Sequence, residues 1–161
     1  MLQRLQTIFL FIIVIAMLCM SFVPIWTKVE LGTFHTYTMY AWRLQELNPV
    51  SNLSQHKVFM PYIFIGILSV TATLIALTEI FTYSNRMTQL KLGALNSLIM
   101  TGVMGLIVYL AKQNETNLLP GATGQYKLGF LLPAIAIISN LIANRLIRRD
   151  EKLIKSVDRI R

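Results

Sequence analysis

One cysteine, Cys19, and two histidines, His35 and His56, stand in 161 residues. A single thiol can form neither an intrachain disulfide nor a C-x-x-C redox pair. The two histidines fall in one polar stretch between apolar runs, so the paired intramembrane ligands of a dihaem cytochrome are missing. No His, Cys and carboxylate spacing suggests a structural metal, no glycine loop suits a phosphate, and no nucleophile stands near a base. The sequence therefore offers no catalytic, cofactor-binding or metal-ligating residues, and a non-enzymatic protein without a cofactor is expected. Charge is scarce as well, at 14% of residues, with seven acidic side chains against fifteen basic ones. What fills the space is apolar: 55% hydrophobic residues and a mean hydropathy of +0.58 are too high for an ordinary soluble domain and point to a membrane protein.

Crossing about 30 Å of hydrocarbon takes roughly 20 helical residues. Four apolar stretches approach or exceed that length, at 7–25, 58–82, 92–111 and 128–147, and the only charges inside them are Glu79 and Arg145. The first resembles a signal peptide in having Arg4 ahead of an apolar run. Its run is too long for a typical signal, however, and the exit "SFVPIWTKVE" lacks an A-x-A-like cleavage site. Leu18 before Cys19 is also too bulky for a lipoprotein site. The expected fold is all-α, a single polytopic domain over 1–161 built as a four-helix transmembrane bundle.

Lys and Arg beside spans resist translocation, so their distribution sets orientation. With the N-terminus inside, the cytoplasmic side collects Arg4, Arg86, Lys91 and the seven cations from Arg145 to Arg161, ten in all. The outer side collects Lys28, Arg43, Lys57, Lys112 and Lys127. Ten against five places both termini in the cytoplasm, and the bacterial inner membrane is the expected location. Beyond residue 147 the helical pattern continues into a basic amphipathic helix over 148–161. Leu146, Ile147, Leu153, Ile154, Val157 and Ile160 share one arc, with only Asp150 intruding, which predicts a local partner or a small bend there. Arg148, Arg149, Lys152, Lys155, Arg159 and Arg161 are candidates for docking on anionic lipid or on a protein partner. The sequence pI of about 9.9 reflects these membrane flanks, and no nucleic-acid partner is expected.

In lipid, helices associate through small residues that let backbones approach. Gly93, Ser97, Thr101 and Gly105 form such a row, with Gly66, Ser69, Thr73 and Ala76 in the second stretch and Ala136, Ser139, Asn140, Ala143 and Asn144 in the fourth. The first row serves either bundle packing or self-association. Glu79 and Arg145 lie at similar depth, and a cross-helix ion pair between them would relieve both charges. Pairing of Glu79 with Arg4, snorkelling to the headgroups, and use as a functional carboxylate are the alternatives. Asn96, Asn140 and Asn144 read as interhelical hydrogen-bonding groups.

Between the first two stretches, "KVELGTFHTYTMYAW" is rich in β-formers around a Gly-Thr break and predicts a short hairpin. "NPVSN" predicts a turn. Trp26, Tyr37, Tyr40, Trp42 and Tyr62 are expected at the outer headgroup level. Pro61 falls in the first turn of the second stretch, and Pro133 is expected to kink or delay the fourth. The acceptor patterns "NLS" at Asn52 and "NET" at Asn114 are too short to carry weight.

Three segments, "MLQRLQT", "NRMTQLKLGALN" and "ANRLIRRDEKLIKSVDRIR", resemble the Bacteroidota membrane family called domain of unknown function 4293. The last is the most specific, through Arg149 to Leu153 followed by Ser156, Asp158 and Arg159. The resemblance implies four inner-membrane spans and supplies no catalytic residues. Two functional classes remain. One is a scaffold or accessory subunit of a membrane complex, partnered by the bilayer and by another membrane protein or a second copy of the chain. The other is a small-molecule or lipid-handling protein that uses the bundle interior near Glu79.

Overall fold

The computed structural model describes residues 2–29, 35–47, 54–58, 60–83, 85–118 and 124–158, with the backbone alone at 2–4, 54–58, 117–118 and 154–158. Four helices dominate: α1 (Leu2–Met20), α2 (Ile63–Phe81), α3 (Arg86–Leu118) and α4 (Leu128–Asp158). Three contain segments long and apolar enough to cross a membrane, at Ile63–Phe81, Arg86–Thr116 and Leu128–Leu153. The apolar part of α1, Leu5–Met20, is shorter.

The helix limits correct the sequence boundaries for physical reasons. The first helix ends at Met20 rather than 25, because the chain turns through Ser21 and Phe22, whose amides donate to Leu18 and Cys19, and Pro24 blocks further helix. Val58 belongs to a strand, so the second helix begins five residues later than expected. Pro61 lies just before α2, and Pro133 lies inside α4 without delaying its start. The third helix extends well beyond 92–111 at both ends.

The all-α expectation is also corrected. Five short strands form one antiparallel sheet: β1 (Trp26–Val29), β2 (Thr36–Met39), β3 (Leu44–Leu47), β4 (Ser54–Val58) and β5 (Gln125–Tyr126), in the order β4-β3-β2-β1-β5. The expected hairpin is present as β1 and β2, with Trp26 opposite Met39 and Val29 opposite Thr36. Trp26 also pairs with Tyr126, so the two segments that join the helices at this end are held in one sheet. The turn expected at "NPVSN" lies outside the described residues, between β3 and β4, as does Asn52.

Each helix packs on two others: α1 on α2 and α4, α3 on α2 and α4. Most buried positions follow alternating steps of four and three, with Ala16, Gly66, Thr73, Ala111 and Ser139 buried beside them. The stepped positions are Gln6, Leu10, Ile13, Met17 and Met20 in α1, then Ile65, Ser69, Ala72, Ala76 and Glu79 in α2. In α3 they are Gln89, Gly93, Asn96, Met100, Val103, Ile107, Leu110 and Asn114, and in α4 Gly129, Pro133, Ala136, Asn140, Ala143, Ile147 and Asp150. An average step of 3.5 keeps a stripe facing its neighbours along nearly aligned helices, whereas steps of four drift by about 40° each time. That drift divides the row of small residues. Gly93 is buried against the Asn144 side chain, and Ser97 accepts a hydrogen bond from Asn140, but Thr101 is exposed and Gly105 meets nothing within 4 Å.

Candidate functional site

Small and amide side chains on the four-three stripes let polar groups enter the interior of the helical layer. At the end where α2 turns into α3, the Arg86 guanidinium donates to Gln6 Oε1 at 3.0 Å and stands 3.8 Å from Asp150. Both Arg86 and Asp150 extend their helices' buried stripes, and their side chains are only 17% and 11% exposed. Asp150 thus has the local partner that its place in the apolar arc predicted. α4 runs unbroken past it to Asp158.

One turn further in, Gln89 Nε2 donates to the Glu79 carbonyl oxygen at 3.1 Å. The Glu79 side chain is fully buried, and neither carboxylate oxygen has a hydrogen-bond partner. The proposed pairing with Arg145 is not formed, since Arg145 is exposed. The wheel explains this: Arg145 lies two residues from both Ala143 and Ile147, about 200° around the helix from the buried stripe. Arg4, the other suggested partner, has no described side chain.

Beyond Gln89 the seam continues through Gly93, whose missing side chain admits Asn144 against the α3 backbone. Asn140 Nδ2 donates to the Gly93 carbonyl at 2.8 Å and to Ser97 Oγ at 2.7 Å. The reading of Asn140 as an interhelical bridge therefore holds. Asn96 is fully buried, with both amide atoms unpartnered. Oxygens of Gln89, Asn140 and Asn144 are buried and unpartnered as well. Sequence reasoning singled out Glu79 and the asparagines but missed Gln6, Arg86 and Gln89 as interior groups; the four-three spacing was the signal that could have found them.

The opposite end is polar in a different way. Tyr62 donates to Asn114 at 2.7 Å, and Asn114 reaches Met39 Sδ at 3.9 Å. Buried in this way, Asn114 is unsuited to be a glycosylation acceptor. Lys28 is 1% exposed and donates to the Glu115 carbonyl at 3.3 Å, while the Glu115 carboxylate accepts from the Gly124 amide. Trp26 is fully buried with its ring against Gly124, and the Trp42 ring covers Gly66, where an added Cβ would lie 2.5 Å from it. These aromatics join sheet to helices. Tyr37 and His35 both reach Glu46 Oε1 at the sheet surface.

Of the expected docking residues, Arg148, Arg149 and Lys152 are exposed on α4. Lys155 lies in the helix, described by its backbone alone, and Arg159 and Arg161 lie outside the described residues. Among the described residues no three His, Cys, Asp or Glu side chains gather as a metal-ligand group.

Replacing Asn140 by Leu should test the seam directly. The substitution removes two donated hydrogen bonds and strands the Ser97 hydroxyl and the Gly93 carbonyl, at a cost of about 1–2 kcal/mol. The check is thermal unfolding in detergent, where Asn140→Leu should lower the midpoint and Leu141→Ala, at an exposed position of the same turn, should not.

No curated protein matches the sequence. The family described as Domain of unknown function (DUF4293) matches residues 2–160, nearly the whole chain, and the chain belongs to that family.

Proposed function

We propose that this is a four-span protein of the bacterial inner membrane, with both termini in the cytoplasm, serving as a non-enzymatic scaffold or accessory subunit of a larger membrane complex. The observation that supports four spans is an inverted distribution of side chains. Leu5, Ile8, Phe11, Ile15 and Leu18 of α1 are about half exposed, as are Phe64, Ile67 and Leu74 of α2 and Leu131, Ile135, Ile138 and Leu141 of α4. The interior also is apolar at positions such as Leu10, Met17, Met100 and Ile107, but it takes in Gln6, Ser69, Glu79, Gln89, Asn96 and Asn140 as well, so the polar groups lie inward while large apolar side chains cover the outside. Such an outer surface is costly in water and suits lipid. The same arrangement supports reading α1 as a span despite its shorter apolar run, because its outward face matches those of the longer helices.

The scaffold reading is supported by α4. Its exposed Arg145, Arg148, Arg149 and Lys152 are carried on the same continuous helix as the last span, so the arm holds a basic face in a defined direction. A partner would engage that face together with the cations that follow it in the sequence, Lys155, Arg159 and Arg161, on the cytoplasmic side. The test is extraction in mild detergent and recovery of the intact protein, which should bring a stoichiometric partner with it. Deleting 153–161 should leave insertion and abundance intact, because Arg145, Arg148 and Arg149 remain to hold orientation, while partner recovery falls at least severalfold. Recovery of the chain alone, before and after deletion, contradicts the scaffold role.

A second reading, small-molecule or lipid handling in the bundle interior, is favoured by one observation: Glu79 is buried without a partner. An unpaired carboxylate within a span is costly to keep without a use.

A further inference from the structure

We propose that the interior seam beside Glu79 holds a small monovalent cation, bound by the Glu79 carboxylate and Gln89 Oε1, with the amide oxygens of Asn144, Asn140 and Asn96 continuing the polar path along α3. The inference sharpens the second functional reading by naming the occupant. It starts from the balance of donors and acceptors. Unpartnered buried oxygens comprise both of Glu79 and one each from Gln89, Asn96, Asn140 and Asn144, whereas the only unpartnered buried nitrogen on these side chains is Asn96 Nδ2. The amides of Gln89 and Asn140 are oriented by the bonds their nitrogens donate, so their free atoms are acceptors. A proton on Glu79 would leave Gln89 Oε1 unmet, whereas one cation between the two side chains would serve both, and buried acceptors are rarely left unmet.

The groups are contiguous. Gln89 lies against the last full turn of α2 through the Glu79 carbonyl, Gly93 follows one turn later with Asn144 over it, and Asn140 bridges Gly93 and Ser97. From Gln89 to Asn96 the seam covers about 10 Å of helix. All its oxygens are shielded from a water-sized probe. An occupant of the seam would therefore have to be smaller than water, as a desolvated sodium or lithium ion is.

Charge selects valence. Arg86 and Asp150 face each other across α3 and α4 at 3.8 Å. Arg145, Arg148, Arg149, Lys91 and Lys152 are exposed, and α1 offers Gln6 on its buried stripe. Of the two buried carboxylates among the described residues, Asp150 faces Arg86 and Glu79 is left without a partner, and one positive charge would neutralise it. A divalent ion would leave an excess charge in the membrane interior. An all-oxygen donor set suits a hard cation and disfavours the softer transition metals.

The experiment is thermal unfolding of the purified full chain in detergent at equal ionic strength in lithium, sodium, potassium or choline chloride. The wild type should melt about 5 °C higher in sodium or lithium than in choline, and Glu79→Gln should melt alike in all four salts. Identical wild-type midpoints in all four overturn the cation. If that flat result comes with a copurified lipid that Glu79→Gln loses, ligand handling survives and only the cation fails. Should Glu79→Gln not fold, carbodiimide modification of Glu79 in the wild type takes its place, read by peptide mass: sodium should slow it relative to choline, and equal rates overturn the inference.

Discussion

Trp26→Ala should destabilise the protein by about 3–5 kcal/mol, and Trp26→Phe by clearly less. Trp26 is fully buried and occupies a strand position that has a partner on both sides, Met39 in β2 and Tyr126 in β5. Its ring covers Gly124, where any side chain would collide with it. The backbone around it is equally committed: Ile25 donates to Met39, Lys127 donates to Ile25, and Gly129 donates to Pro24. Removing the indole therefore empties the joint between the exit of α1, the sheet and the start of α4. For a chain of this size the loss corresponds to a fall of roughly 10 °C in the unfolding midpoint. Thermal unfolding in detergent checks it, and a shift of only a degree or two would mean that the sheet is not integral to the helical part.

Gly93→Leu and Gly105→Leu should part company. A side chain at Gly93 has to displace Asn144 and, through it, the Asn140 bridge to the Gly93 carbonyl and Ser97, so α3 and α4 cannot keep their approach. Overpacking plus the lost hydrogen bonds should cost about 3 kcal/mol. At Gly105 nothing lies within 4 Å, and a leucine there gains helix propensity on an open face. Side-by-side unfolding midpoints decide it, with Gly105→Leu at or above the wild type. Self-association through Gly105 and Thr101 predicts the reverse pattern in one respect: Gly105→Leu would then change the oligomeric state.

The helices were legible because an apolar run of twenty residues admits few alternatives. Their ends were not, since apolar residues such as Val23, Ile25 and Val58 serve strands and turns equally well, and composition cannot separate them. The sheet was underestimated for a related reason. Strands such as LQEL and SQHKV are short and weakly patterned, and β5 is a two-residue pairing made by chain segments nearly a hundred residues apart. Depth along a span was readable, so Glu79 and Arg145 looked matched, but depth without the angle around the helix says nothing about facing. The four-three stripes supply that angle. They put Arg86 and Asp150 inside, Arg145 outside, and split the glycine row between an interface and an open face.

The central claim is four spans with both termini in the cytoplasm, and site-directed thiol labelling tests it most directly. Native Cys19 is exposed and must first be changed to serine. Single cysteines are then placed at Gln3 in α1, at the exposed Gln125 in β5 and at the exposed Lys152 in α4. In cells whose outer membrane alone has been permeabilised, an impermeant maleimide should label Gln125→Cys and leave Gln3→Cys and Lys152→Cys untouched until the inner membrane is opened. Labelling of Lys152→Cys or Gln3→Cys with the inner membrane intact, or protection of Gln125→Cys, would contradict the topology.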